Sequence, residues 1–271
     1  MNTHQEKVRF EFGSACDVGR KRSGEPNQDA VEVVLPGARG NWHPPLLMVA
    51  DGLGKHVGGS IASKLVIQAF KQEFVNTSHP ADYLSLMERC VQKAHQAVRA
   101  QGAKDPKLAN MGSTIVAVTL DQNMLYLLNV GDSRAYILRG KDIMQISQDQ
   151  SWVAIQVRAG VLTEQEARVH PSRNRLNMAI TARRPEIKPY LVKERLEKDD
   201  IVVLCSDGLW GVIPESLIWA AANELPPEVA VKKLVSLANR RQGPDNISVI
   251  IARRFKADRR AVSAKLEDTN P

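Results

Sequence analysis

Apolar and polar positions fall into short blocks along the chain. Val8–Val18 alternates loosely through Val8, Phe10 and Phe12, which predicts a first strand. Residues 30–35 and 46–50 are apolar runs that predict strands, joined by the Pro/Gly-rich connection Pro36–Pro45. Ile61, Leu65, Ile67, Phe70 and Phe74 recur near helical spacing and predict a helix over Gly59–Asn76. Tyr83, Leu84, Met87, Val91, Ala94 and Val98 do the same over Pro80–Gly102, where Pro80 suits a first turn. Four runs follow, Ser113–Leu120, Met124–Val130, Arg134–Leu138 and Ile143–Ile146, separated by turn residues; they predict an antiparallel meander. Asp132 and Arg134 sit at one of its turns and are expected to form a structural pair. Gln148–Asn177 is polar and helix-prone, an insertion on the sheet rim anchored by Trp152, Ile155 and Val157. Strands resume at Ile187–Val192 and Ile201–Cys205, two proline-led helices cover Pro214–Glu224 and Pro226–Asn239, and Asn246–Arg253 is a last strand. With no linker before the charged stretch Lys256–Pro271, one domain over 1–255 is expected: two stacked, mainly antiparallel sheets flanked by helices, then a flexible tail.

Composition narrows the classes. The 271 residues, 43% hydrophobic and 25% charged, suit a globular protein with a real core. The net charge is +7, but Lys and Arg are scattered and there is neither zinc-finger spacing nor aromatic-basic interleaving. A nucleic-acid partner is therefore not expected, and a modest basic bias also suits anionic substrates such as phosphorylated proteins. Cys16, Cys90 and Cys205 form no CxxC, so neither a disulfide framework nor a zinc site is expected. Cys205 ends an apolar run and is expected to be a buried strand residue rather than a nucleophile. The start, MNTHQEKVRF, lacks an apolar leader, and no stretch approaches the ~20 apolar residues of a membrane helix. A soluble cytoplasmic protein without a membrane partner is expected. His79 and His95 have no partners at metal spacing and are expected on a surface or helix face. His170, before Pro171 in the insertion, has no visible proton-relay partner either.

The candidate chemistry lies where apolar runs stop. Leu46–Ser60, LLMVADGLGKHVGGS, ends its strand at Asp51-Gly52. Ile201–Gly208 ends at Asp207-Gly208, Asp245 precedes the last strand, and Asp29 precedes the run Ala30–Leu35. One Asp-Gly is a turn. Four aspartates at strand ends suggest a shared cluster, and like charges held close need a cation. The loop Asp17–Pro26 carries Arg20, Lys21 and Arg22, and an arginine beside such a cluster could take a phosphate with two parallel N–H donors.

Asp17-x-Gly19, Asn27-Gln28-Asp29, VADGLGKHVGG, MGST (Met111–Thr114), GDSR (Gly131–Arg134), CSDGLW (Cys205–Trp210) and GPDNIS (Gly243–Ser248) occur in one order. Over residues 8–254 the chain thereby resembles the type 2C metal-dependent serine/threonine protein phosphatases, most of all their soluble bacterial branch. The resemblance implies an α+β, four-layer αββα sandwich with 148–177 as a flap-like insertion. It implies two Mn²⁺ or Mg²⁺ ions, bridged by Asp51, with the Gly52 carbonyl as a further ligand. Asp207 and Asp245 would complete one metal and Asp29 would hold the other. A hydroxide bridging the metals would attack phosphorus in line, without a phospho-enzyme, while Arg22, or alternatively Arg20, orients the phosphate. Phosphorylated proteins would be the substrates, a serine/threonine kinase the opposing enzyme, and a monomer the working form.

The chain departs from the family pattern in places. The loop from Arg22 to Asp29 is about two residues long of the usual spacing. Gln28 stands where many relatives have Glu. Leu53 occupies the position of the histidine proposed as general acid in animal members, and His56 is nearby but not equivalent. Ala109 replaces an aspartate that serves a third metal in many bacterial members, Asp105 lies too far along to substitute, and a third site is expected to be weak or absent. Asp149-Gln150 stands where Asp-His is frequent. The alternative reading is therefore a catalytically quiet member that binds phosphoproteins as a regulatory module.

Overall fold

The computed structural model describes residues 8–36, 43–54, 57–77 and 80–256. The strands are β1 (Val8–Asp17), β2 (Asp29–Val34), β3 (Leu46–Leu53), β4 (Gly112–Ser113), β5 (Ile115–Asp121), β6 (Met124–Val130), β7 (Arg134–Arg139), β8 (Asp142–Gln145), β9 (Ile180–Thr181), β10 (Tyr190–Arg195), β11 (Ile201–Cys205) and β12 (Ile247–Lys256). The helices are α1 (Gly58–Val75), α2 (Tyr83–Lys104), α3 (Trp152–Arg158), α4 (Glu164–Val169), α5 (Asp207–Trp210), α6 (Glu215–Glu224) and α7 (Pro227–Arg240). One sheet runs β1-β12-β11-β7-β8; the other runs β10-β6-β5-β3-β4-β9, with β2 pairing the free side of β3. The pairings are antiparallel, as hairpin-length connections within the meander require.

Strand alternation builds three apolar layers. Leu46, Met48 and Ala50 of β3 face α1 and α2, meeting Val66, Phe70, Phe74, Met87 and Val91. Leu47 and Val49 face the other way, between the sheets, against Val116, Val118, Leu204 and Ile250. Tyr136, Val203, Cys205, Val249 and Ile251 pack under Ala222, Val231 and Leu234 of α6 and α7. Period-two alternation thus produces the four-layer αββα sandwich, with each sheet buried on both faces. Burying one side chain of the size of Phe70 or Phe74 contributes about 2–3 kcal/mol, so the layers hold the strand ends in fixed register. Among the described residues, no helix is long and apolar enough to cross a membrane.

Several local expectations change. β3 does not stop at Asp51 but continues to Leu53, because Gly52 and Leu53 pair with the two-residue β4. β10 begins at Tyr190 rather than Ile187. Arg20–Arg22 forms a 3-10 turn, and Asp207-Gly208 opens α5 instead of closing a turn. In the insertion, Val153 is the buried anchor of α3, while Trp152, Ile155 and Val157 are half-buried. His95 lies on α2, as one of the two expected placements had it, but on its buried face at 3% exposure; its ring nitrogen meets the Arg184 carbonyl at 2.9 Å, and burial lowers its pKa. His170 Nδ1 accepts from the Ser172 N–H at 3.0 Å, and its ring lies 5.0 Å from Trp152, a local structural role. His56, His79, the centre of the Pro36–Pro45 connection and the tail beyond residue 256 lie outside the described residues.

Candidate active site

The alternation that fills the inter-sheet core also places the acids. Asp51 follows Leu47 and Val49 on the inter-sheet face of β3, and Asp29 of β2 stands directly opposite it in the register. β11 of the other sheet leads through buried Ser206 into Asp207 at the start of α5. Asp245 sits just ahead of β12. Elements from both sheets therefore deliver their carboxylates to the same end of the sandwich.

The contacts define a strongly acidic interior. Asp29 is 4% exposed; its Oδ2 accepts from Ser206 Oγ at 2.7 Å, and Ser206 Oγ accepts from the Ser248 N–H at 3.0 Å, tying the sheets together. Asp29 Oδ1 is the one buried side-chain oxygen or nitrogen among the described residues with no hydrogen-bond partner. Burial, outweighing the Ser206 and Ser248 hydrogen bonds, raises Asp29 to a pKa of about 7, with Asp207 and Asp245 adding repulsion. Burial and the charges of Asp29, Asp207, Asp132 and Asp245 push Asp51 well above the usual carboxylate range. Asp207 is raised to about 6 by burial and Asp245, although a hydrogen bond with Asp51 works the other way. Like carboxylates out of water behave so: a proton, or a cation, must hold them together.

Arg22 is the counter-charge. Its Nη2 donates to Asp245 Oδ2 at 3.0 Å and its Nε lies 2.9 Å from Oδ1, a two-pronged pair. Arg20 does not enter the cluster: it is exposed, and its backbone N–H donates to Asn239 Oδ1 at 3.0 Å. Asn246, 2% exposed, stitches the loop to the acids, with Nδ2 donating to the Val18 carbonyl and Oδ1 accepting from the Gln28 N–H, each at 2.8 Å. Gln28 Nε2 donates to the Gly54 carbonyl at 3.2 Å.

Two glycines set how closely backbone approaches. A Cβ on Gly52 would come within 2.1 Å of the Gly59 carbonyl oxygen and 2.5 Å of the Gln28 carbonyl oxygen. A Cβ on Gly208 would lie 1.8 Å from the Asn246 carbonyl oxygen. Neither can carry a side chain without moving the strand ends that present Asp51 and Asp207.

The expected pair of Asp132 with Arg134 does not form. Arg134 turns to Asp149 instead, with Nη2 at 2.7 Å from Oδ2, Nε at 3.1 Å from both oxygens, and the guanidinium 3.7 Å above the Trp210 ring. Asp132, 6% exposed, is left with the acids; burial and then Asp207 and Asp149 push its pKa well above normal. It is a fifth carboxylate of the cluster, and like Asp29 a buried one, although the sequence pattern pointed to a turn pair; Gly131-Asp132 ends an apolar strand as Asp51-Gly52 and Asp207-Gly208 do. Ala109 follows a short 3-10 turn, and Asp105 is used to cap that turn, accepting from the Lys107 N–H at 2.9 Å. Leu53 brings no proton donor.

A divalent cation fits this set on three counts: an unsatisfied buried oxygen on Asp29, carboxyls raised by burial and by one another's charge, and an all-oxygen donor set suited to a hard ion. Among the described residues no three His, Cys, Asp or Glu side chains already close on one point. Arg22 holds both oxygens of Asp245, and Asp51 and Asp207 hydrogen-bond to each other.

A sandwich with clustered acids at one end and an arginine beside them defines a site for an anion held through cations. Residues 18–243 match the family model for protein phosphatase 2C, and the chain belongs to that family. The serine/threonine protein phosphatase PstP of Mycobacterium tuberculosis is 36% identical over 244 residues, 89% of this chain but 44% of the relative. The chain therefore spans less than half the length of that relative. Protein phosphatase PhpP of Streptococcus pneumoniae is 31% identical over 252 residues, 89% of this chain and 96% of its own length. A crystal structure of the PstP catalytic domain with two manganese ions matches with a TM-score of 0.79 at 32% identity, covering 92% of this chain and all 100% of that one. The phosphatase Stp1 of Staphylococcus aureus matches with a TM-score of 0.83 at 26% identity, covering 92% and 96% of the two chains.

Proposed function

We propose that this protein hydrolyses phosphoserine and phosphothreonine on proteins, with two Mn²⁺ or Mg²⁺ ions as cofactors and no phospho-enzyme intermediate. The observation that carries the reading is the partly buried carboxylate cluster with an unsatisfied Asp29 oxygen and a two-pronged arginine at its edge. Asp51 would serve both ions, with the Gly52 carbonyl as a further ligand, Asp207 and Asp245 would serve one of them, and Asp29 the other. Bound there, the ions would supply an activated water and neutralise charge on the phosphoryl group.

The chain's own residues orient and exclude. Arg22 presents Nε and Nη2 in the fork that matches two phosphate oxygens, so the donors that now hold Asp245 can hold the substrate. Ser206 fixes the rotamer of Asp29 through Oδ2 and leaves Oδ1 for a ligand. No cysteine is poised to attack. Cys205 is fully buried and its thiol is pushed up to about 12 by burial; Cys16 is exposed at the surface, yet partial desolvation and the nearby Asp29 charge raise its thiol as well. Ser206 is fully buried, with its hydroxyl committed to Asp29. Direct attack by water is what these residues support.

The phosphatase names of the relatives and the two manganese ions in the PstP structure favour catalysis over a silent phosphoprotein-binding module. The reading takes 1–255 as one catalytic unit with 148–177 as its flap. It also has a monomer opposing a serine/threonine kinase in the cytoplasm, without nucleic-acid or membrane partners. The test is release of phosphate from p-nitrophenyl phosphate and a phosphothreonine peptide with Mn²⁺, with Mg²⁺ and with EDTA. Turnover with either metal and none in EDTA is expected; a folded protein that binds the peptide and never turns it over overturns the reading.

A further inference from the structure

The insertion is sewn at both ends to the strands that carry the acids. At its start, Gln150 Oε1 accepts from the Gly131 N–H and Gln150 N–H donates to the Gly131 carbonyl, each at 2.9 Å, next to Asp132. At its end, β9 pairs with β4, and β4 pairs with Gly52 and Leu53, directly after Asp51. The insertion is thus rooted at both ends beside the acidic site, and its body can serve as a wall there. A peptide whose phosphate reaches Arg22 lays its flanking residues along such a wall.

Beyond Glu164 and Glu166, the C-terminal part of that wall has one sign of charge. Between Glu166 and Glu186 the chain carries five arginines, Arg168, Arg173, Arg175, Arg183 and Arg184, and no Asp or Glu. Arg168, Arg173, Arg175 and Arg183 are exposed. Among the described residues none of the five is ion-paired with a carboxylate, whereas Arg22, Arg89, Arg134 and Arg139 all are. Val161 and Val169, 65% and 78% exposed, add apolar surface on the same insertion. Unpaired guanidinium groups act over about a Debye length, ~8 Å at physiological salt, which spans the residues next to a bound phosphoresidue. They favour carboxylates there and disfavour lysine or arginine.

Resting on the reading of this site as a protein phosphatase, we propose that the arginine run 168–184 is a docking surface for acidic residues flanking the phosphorylated residue. The chain is thereby selective for acidic phosphoprotein segments. Rim charges of this kind act mainly on encounter and so fall as salt rises.

The experiment compares two labelled phosphothreonine peptides, one with Asp/Glu flanks and one with Lys/Arg flanks, on the full chain and on the double variant Arg173→Glu, Arg175→Glu. Among the described residues neither arginine side chain makes a hydrogen bond or an ion pair that the change would break. For the unaltered chain, kcat/KM is expected to favour the acidic peptide by about tenfold at low salt, and less at high salt. The double variant should remove or reverse the preference while hydrolysing p-nitrophenyl phosphate at the unaltered rate. Equal kcat/KM for both peptides, with p-nitrophenyl phosphate still turned over, overturns the docking surface and leaves the phosphatase reading standing. Loss of all turnover strikes that reading instead; fluorescence anisotropy of the same peptides then decides the docking surface, which needs the acidic one to bind tighter. A single-stranded oligonucleotide of equal charge that outcompetes the acidic peptide also overturns it.

Discussion

Replacing Asp29 with asparagine should stabilise the chelated protein at neutral pH and destabilise it, relative to the unaltered chain, once Mn²⁺ is added. Asp29 has a pKa of about 7 in the fold against 3.8 for an ordinary aspartate. Between those values the folded state binds a proton that the unfolded state has released. Stability is therefore present in full below about pH 4 and is lost as pH rises towards 7, the slope set by the proton difference. At ~1.4 kcal/mol per pH unit, the loss from this one buried group comes to about 4 kcal/mol. An asparagine keeps the shape and has no charge to bury, so the variant should show a flatter profile. Urea unfolding followed by tryptophan fluorescence in EDTA, from pH 5 to pH 8, measures the slope, and a repeat with Mn²⁺ measures what the metal restores. The reasoning is refuted if the variant has the same slope as the unaltered chain, or is stabilised by Mn²⁺ as much.

Other perturbations probe the supports of the site. Arg22→Ala should lower kcat/KM for a phosphopeptide by about 10- to 100-fold, the loss of a charged two-pronged hydrogen bond, while Arg20→Ala leaves it nearly unchanged; equal effects would contradict the placement of the two arginines. Arg134→Met leaves Asp149 buried without its ion pair and should cost about 3–5 kcal/mol by urea unfolding, with faster proteolysis of the insertion rooted there. Gly52→Ala drives a Cβ into the Gly59 and Gln28 carbonyls and should lower stability by about 3 kcal/mol, seen as a lower urea midpoint; an unchanged midpoint would show that the strand ends can yield.

The layers were legible because alternation and helical spacing leave strong marks in long elements. Leu46–Ala50, Ser113–Leu120 and Ile201–Cys205 could each be read as buried strands, and the acids at their ends were visible as interruptions. Short elements left no such mark. The two-residue strands Gly112–Ser113 and Ile180–Thr181 carry no periodicity, yet they extend β3 past Asp51 and bring the insertion to the site. Asp132 was misassigned because proximity in sequence suggested Arg134 as its partner. The partner of Arg134, Asp149, lies on the far side of β8, and Trp210 covers the guanidinium from another helix, neither of which a one-dimensional pattern displays. The bridge from Ser206 to Asp29 spans two sheets and was likewise invisible. The seven-motif resemblance pointed to the family and to Arg22 ahead of Arg20, while the pairing of Arg22 with Asp245 across 223 residues is visible only in three dimensions.

The most direct test of the central account is Mn²⁺ stoichiometry and phosphothreonine-peptide turnover measured on the same samples of the unaltered chain and Asp207→Asn. The account predicts two bound ions and turnover that EDTA abolishes for the former, and a folded, peptide-binding but inactive protein with weakened metal binding for the latter. Undiminished turnover in EDTA, or equal activity in the variant, would contradict it.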